Sequence, residues 1–202
     1  MRVESHVWRF ARVFLGAKRR RHANQAIDAE KKMIAFWLMP AAPVREFFDR
    51  LTRDFAVRFD APRFEPHVTL CGGQIDEGLA TEILRNLAPR FPISLAVEQI
   101  EWSDSYTKTL FVQFLSSPEI EALSEEIRTA ISRDYELNPH LSLLYKQMPA
   151  AGKAEAARTV TLPWTHVTFD AVQVISTPHP ITTREQVEAW RTLGSRPLAE
   201  LP

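Results

Sequence analysis

Apolar and polar positions alternate along the chain in two different rhythms from position 33 onward. Met33–Met39 is an almost unbroken apolar run, halted by Pro40 and Pro43, and reads as a buried strand. Val44, Phe47, Phe48, Leu51 and Phe55 then recur at helical spacing. Arg45, Glu46, Asp49, Arg50 and Arg53 fill the opposite face of that helix. Pro66–Cys71 reads as a strand ended by Gly72-Gly73, and Leu79, Ile83, Leu84 and Leu87 mark a second helix. Ile93–Trp102 and Thr109–Leu115 read as strands around a polar turn, Ser103–Lys108. Ser117-Pro118-Glu119 predicts a helix start with a hydroxyl cap, followed by the stripe Ile120, Leu123, Ile127 and Ile131. Pro139–Tyr145 is another strand, Pro149–Arg158 a weak Ala-rich helix, and Val167–Ser176 an alternating strand. Thr183-x-x-Gln186 spells a capping box, while Ala189–Leu193 equally suits a strand, so that boundary stays open. No linker rich in Gly, Ser or Pro divides residues 33–198. The pattern predicts an α+β fold with mainly antiparallel sheet, any two lobes sharing one framework.

Composition narrows the class. The 202 residues are 45% apolar and 25% charged, which excludes a disordered, collagen-like or disulfide-stapled chain. A single cysteine, Cys71, permits a reducing compartment, and a cytoplasmic location is expected. No apolar run approaches the ~18 residues of a membrane span, so no membrane partner is expected. The formal charge of zero hides an uneven split. Residues 1–32 hold nine Lys or Arg against three acids, a net +6, leaving −6 for the remaining 170 residues. We read residues 1–32 as a basic, poorly ordered N-terminal extension and 33–202 as one domain. The patch Lys18–Arg21 has the composition of a targeting or nucleic-acid segment, and Met33 offers an alternative translation start.

Two hexapeptides carry the chemistry. Glu65-Pro66-His67-Val68-Thr69-Leu70 and Asn138-Pro139-His140-Leu141-Ser142-Leu143 share Pro-His-x-(Thr or Ser)-Leu, with histidines 73 residues apart. On a strand, His67 and Thr69 face one way while Val68 and Leu70 face the other, and His140 and Ser142 are related in the same way. Pro before His removes a ladder donor and belongs at a strand start or edge. Two such strands across a cleft bring together two imidazoles, able to act as base and acid, and two hydroxyls able to donate to phosphate oxygens. That set suits water attack on a phosphodiester, with stabilisation of the phosphorane and no metal or other cofactor. By extension of the alternation, Cys71 shares the face of His67 and Thr69. His166-Val167-Thr168 lacks the flanking Pro and Leu and reads as the start of a core or edge strand. His179, between Pro178 and Pro180, reads as a loop.

The paired motifs resemble the 2H phosphoesterase superfamily, and within it the cyclic phosphodiesterases of plant and yeast type. Phe36-Trp37-Leu38-Met39-Pro40, Arg63–Thr69, Pro139–Tyr145 and Trp190 with its flanks carry the resemblance, which spans about Met33 to Leu198. It implies a bilobal fold, two antiparallel sheets lining a central cleft with helices outside. It implies hydrolysis of nucleoside 2′,3′-cyclic phosphates, or of ADP-ribose 1″,2″-cyclic phosphate, leaving phosphate on the 2′ or 1″ oxygen. His140 would activate water, His67 would protonate the departing oxygen, and Thr69 and Ser142 would hold the phosphate. Trp37 and Tyr145 match positions where the family places aromatics by the base. Tyr145, five residues past His140, needs a bend or bulge to reach the cleft. Lys108 lies in a turn from which it could approach phosphate.

The expected partner is a small cyclic-phosphate nucleotide. The alternatives are an RNA-end phosphodiesterase or 2′–5′ RNA ligase-like enzyme, and a non-catalytic nucleotide-binding module. A long nucleic acid calls for a basic groove, which the −6 of the domain does not favour. A metal site on His67 and His140 is a third alternative, although two imidazoles alone underfill a zinc shell.

Overall fold

The computed structural model describes residues 31–198. Thirty of the 32 residues read as the basic extension, with the patch Lys18–Arg21, lie outside the described residues. The last two, Lys31 and Lys32, open the first strand. In chain order the elements are β1 (Lys31–Pro40), α1 (Val44–Phe59), β2 (Val68–Gly73), α2 (Glu77–Asn86) and β3 (Ile93–Trp102). A 3₁₀ turn at Tyr106–Lys108 follows, then β4 (Leu110–Phe114), α3 (Pro118–Ala130) and β5 (His140–Leu144). The chain ends with α4 (Ala150–Arg158), β6 (His166–His179), α5 (Arg184–Glu188) and β7 (Arg191–Pro197). Among the described residues no helix is long and apolar enough to cross a membrane.

The fold is α+β, and every strand pairing is antiparallel. The two sheets expected from the resemblance are joined into one seven-stranded ladder, β1-β2-β5-β4-β3-β6-β7, that also closes through β1–β6. Strand β6 makes the join. Its first residues, His166–Phe169, pair with β3, while the rest lies between β1 and β7. Each lobe is thus four strands, β2-β1-β6-β7 and β6-β3-β4-β5, and the lobes touch again where Val68 meets Leu141.

Helices α1 to α4 pack on one face of this ladder. The α1 side chains Phe48 and Phe55 and the α3 stripe Ile120, Leu123 and Ile127 are buried with Phe36, Leu38, Phe114, Phe169 and Val172. Helix α1 lies against β5, and α3 against β2. Helix α3 starts where the sequence predicts, with Ser117 at the N-cap and Pro118 first in the helix. The Ser117 hydroxyl, however, makes no capping bond. The open boundary near Thr183 resolves in favour of both readings, because the capping box closes on the short α5 and β7 begins right after Trp190.

Candidate active site

The two motif strands meet at one antiparallel pair, Val68 opposite Leu141, both fully buried. That register sets His67 across from Ser142 and Thr69 across from His140, on the face turned away from the core. All four line one cavity of about 230 Å³. Pro66 and Pro139 stand immediately before the motif histidines, outside the ladder. His67 itself precedes β2, which starts two residues later than the sequence pattern implies, and the two glycines expected to end the strand are its last residues.

Both motif strands then carry the same irregularity. Between β1 and β2 the register moves from Trp37–Thr69 to Phe36–Cys71, which leaves Leu70 extra. Between β4 and β5 it moves from Phe111–Ser142 to Leu110–Leu144, which leaves Leu143 extra. Each motif leucine is therefore a β-bulge residue, where two residues oppose one on the partner strand. Leu70 and Cys71 both turn to the core, as do Leu143 and Leu144. The buried Ser124 hydroxyl donates to the Leu70 carbonyl at 2.7 Å, satisfying an acceptor at the bulge. The expectation that Cys71 shares the face of His67 and Thr69 is thus corrected, since Cys71 is packed in the core and Gly72 takes the cavity position. The second bulge supplies what Tyr145 needs, sending it to the cavity just past the end of β5.

The imidazoles are held alike. His67 Nδ1 lies 2.6 Å from the Glu65 carbonyl and His140 Nδ1 lies 2.8 Å from the Asn138 carbonyl, each two residues upstream. A carbonyl only accepts, so Nδ1 carries the hydrogen in both rings and Nε2 keeps its lone pair. Burial pushes His67 down to about 3, opposed by the Glu65 hydrogen bond and helped by the His140 charge. Burial likewise pushes His140 down to about 4, with the Lys108 charge adding to it. Both rings are neutral at pH 7 without a ligand. The Ser142 hydroxyl donates to the Thr107 carbonyl at 2.9 Å. Thr109 anchors the adjoining turn, its hydroxyl 3.0 Å from the Lys146 carbonyl and accepting the Lys146 N–H at 3.1 Å.

The remaining predicted residues are placed unequally. Trp37 reaches the cavity but lies face to face on His67, ring centroids 3.6 Å apart. Tyr145 reaches it too, stacked on Phe64 at 3.9 Å, and burial pushes its hydroxyl pKa upward against a hydrogen bond with Ser142. Lys108 does not line the cavity. Its ammonium sits 4.2 Å over the Phe111 ring, which meets His140 edge to face. His166 is exposed at the start of β6, away from the cavity.

Sequence reasoning missed Thr177 and His179. Both line the cavity, and His179 ends β6 instead of lying in a loop. The two are one alternation step apart, a signal hidden because Pro178 suggests a strand end. Tyr135, Thr107 and Ile181 also line the cavity, from segments with no periodicity to read. Among the described residues no group of three His, Cys, Asp or Glu side chains is placed to hold a metal ion.

The model of the 2′-5′ RNA ligase superfamily matches residues 40–179, which include both histidine motifs. No curated protein matches. Among solved structures, apo LigT of E. coli superposes with a TM-score of 0.56 at 13% identity, covering 85% of this chain and 100% of LigT. LigT complexed with 3′-AMP gives 0.53 at 14% identity, with the same coverage. TT0787 of Thermus thermophilus gives 0.56 at 11% identity, covering 82% of this chain and 97% of that protein. At such identities these likenesses show the shared fold. The family match across more than two-thirds of the chain shows that it belongs to the 2′-5′ RNA ligase superfamily, the 2H phosphoesterases.

Proposed function

We propose that the protein is a metal-independent cyclic phosphodiesterase. Its substrates are nucleoside 2′,3′-cyclic phosphates or ADP-ribose 1″,2″-cyclic phosphate, opened to the 2′- or 1″-phosphomonoester. One observation carries this reading: two imidazoles and two hydroxyls from distant segments line a single cavity, and both rings are tied back through Nδ1. Water oxygen attacks phosphorus while one Nε2 takes its proton. In a nucleoside substrate the bond from phosphorus to the 3′ oxygen breaks, and the other imidazole delivers a proton to that oxygen. Thr69 donates to a non-bridging oxygen as charge builds on it, and Ser142 joins it when its hydroxyl hydrogen turns from the Thr107 carbonyl to the phosphate.

The resemblance gives His140 the base role and His67 the acid role. The Trp37 ring on His67 supports that division, since an indole face attracts an imidazolium. Burial opposes it, more strongly at His67 than at His140, and the bound phosphodiester anion supplies the compensating charge. The structure of LigT with 3′-AMP supports a small nucleotide as the partner.

The test is hydrolysis of the four nucleoside 2′,3′-cyclic phosphates, with product regiochemistry, by wild type and three variants. His67→Ala and His140→Ala should each lose about a hundredfold or more, and His166→Ala little. An unimpaired His67→Ala or His140→Ala enzyme refutes the two-histidine mechanism. Strong preference for a cyclic-ended oligonucleotide over the mononucleotide favours the RNA-end reading, which the family's name suggests.

A further inference from the structure

The pseudo-symmetry of the two motif strands fails at one position. Counting from each histidine through its bulge, the fifth residue on reaches the cavity in both lobes, and it is Tyr145 in one and Gly72 in the other. The Tyr145 side is filled. Tyr145 is 3% exposed with its ring against Phe64, Trp37 is 4% exposed with its ring against His67, and Trp190 meets both edge-on. Rings that closed offer no face on which a base can lie.

The Gly72 side is open. Gly72, Met33, Tyr135 and Ile181 are each only partly buried, and His179 is exposed. Met33 stands opposite Thr177 in the β1–β6 ladder, so strand pairing fixes this wall. A side chain at Gly72 would crowd it, because a Cβ there would come within 3.2 Å of the Ile34 carbonyl and 3.6 Å of the Met33 methyl. Thr177 has spent its hydroxyl hydrogen on the Pro178 carbonyl at 3.0 Å. Among the described residues the His179 ring has no hydrogen-bond partner, so its edge can both donate and accept. A flat apolar surface with one uncommitted polar edge is what a heteroaromatic base requires.

We infer that the substrate's nucleobase rests on the wall of Met33, Gly72 and Tyr135, with His179 as the specificity-determining residue that hydrogen-bonds its edge. The inference rests on the cyclic phosphodiesterase reading for the phosphate end of the same cavity. It moves the base away from Trp37 and Tyr145, whose rings instead brace His67 and the end of β5.

The test is calorimetric titration with 2′-AMP and, separately, with inorganic phosphate. His179→Ala should weaken 2′-AMP about tenfold, the scale of one hydrogen bond, and leave phosphate binding within about twofold. Ile181→Trp, which crowds the same wall from a position outside the ladder, should weaken 2′-AMP by about tenfold or more and spare phosphate. Equal weakening of both ligands, or unchanged 2′-AMP affinity in both variants, overturns the inference. So does a wild type that binds neither ligand. A wild type that binds 2′-AMP with these variant effects but hydrolyses no cyclic phosphate removes the proposed reaction and leaves the base site standing.

Discussion

The two site histidines should make the protein unusually sensitive to mild acid. In the unfolded chain each imidazole titrates near 6.5, whereas the fold holds His67 to about 3 and His140 to about 4. A folded value below the unfolded one means that the unfolded chain takes up protons first. Stability therefore falls as pH drops through 6.5 and keeps falling until the folded values are reached. Between pH 7 and 5 each ring costs about 2 kcal/mol and the pair about 4 kcal/mol. Against a total of about 5–15 kcal/mol for a domain, that is a large share. The carboxylates of Glu119, Glu125 and Glu185 are held below their ordinary 4.5, so their contribution is lost only at lower pH. The assay is urea unfolding at pH 7 and pH 5 for wild type, His67→Asn, His140→Asn and the double variant. The Asn amide preserves a donor for the Glu65 or Asn138 carbonyl but does not titrate. Each single variant should lose about half of the pH effect, and the double variant most of it. A wild type that changes by less than about 1 kcal/mol, or a double variant as acid-sensitive as wild type, refutes the reasoning.

Three further outcomes follow from the same geometry. The productive state needs one proton shared between two rings held below 6.5. So kcat/KM should rise as pH falls from 8 to about 5, and a maximum near the ordinary imidazole value would contradict the buried pair. Leu143→Ala removes a fully buried bulge side chain. It should cost about 2–5 kcal/mol in urea unfolding, while Val57→Ala on the exposed face of α1 should stay within about 0.5 kcal/mol. Dialysis against a chelator should leave hydrolysis unchanged; a loss restored by adding back a divalent cation would overturn the metal-independent reading.

Much of the site is legible in the sequence because its chemistry is local. The pair Pro-His-x-(Thr or Ser)-Leu names His67, Thr69, His140 and Ser142 without any partner strand, since alternation alone puts each imidazole beside its hydroxyl. The misreadings share one cause, which is that each depends on a neighbour distant in the chain. Alternation puts Cys71 on the face of His67 and Thr69 only when it is extended across a bulge that exists relative to β1. Pro178 and Pro180 make His179 look like loop, yet Lys31 pairs with it at the end of β6. Trp37 does line the cavity, as family likeness expects, but only packing shows that its face is taken by His67.

The amino-acid sequence by itself determined the helix stripes, the strand faces and the identity of the four paired-motif side chains, because each depends on residues a few positions apart. Tertiary structure decided the rest: the closure of two lobes through β6, the paired bulges at Leu70 and Leu143, the depressed imidazoles, and the contrast between Gly72 and Tyr145. A bulge is a count of one strand against its neighbour, and a pKa shift is a response to everything that excludes water. Neither quantity exists until distant segments meet.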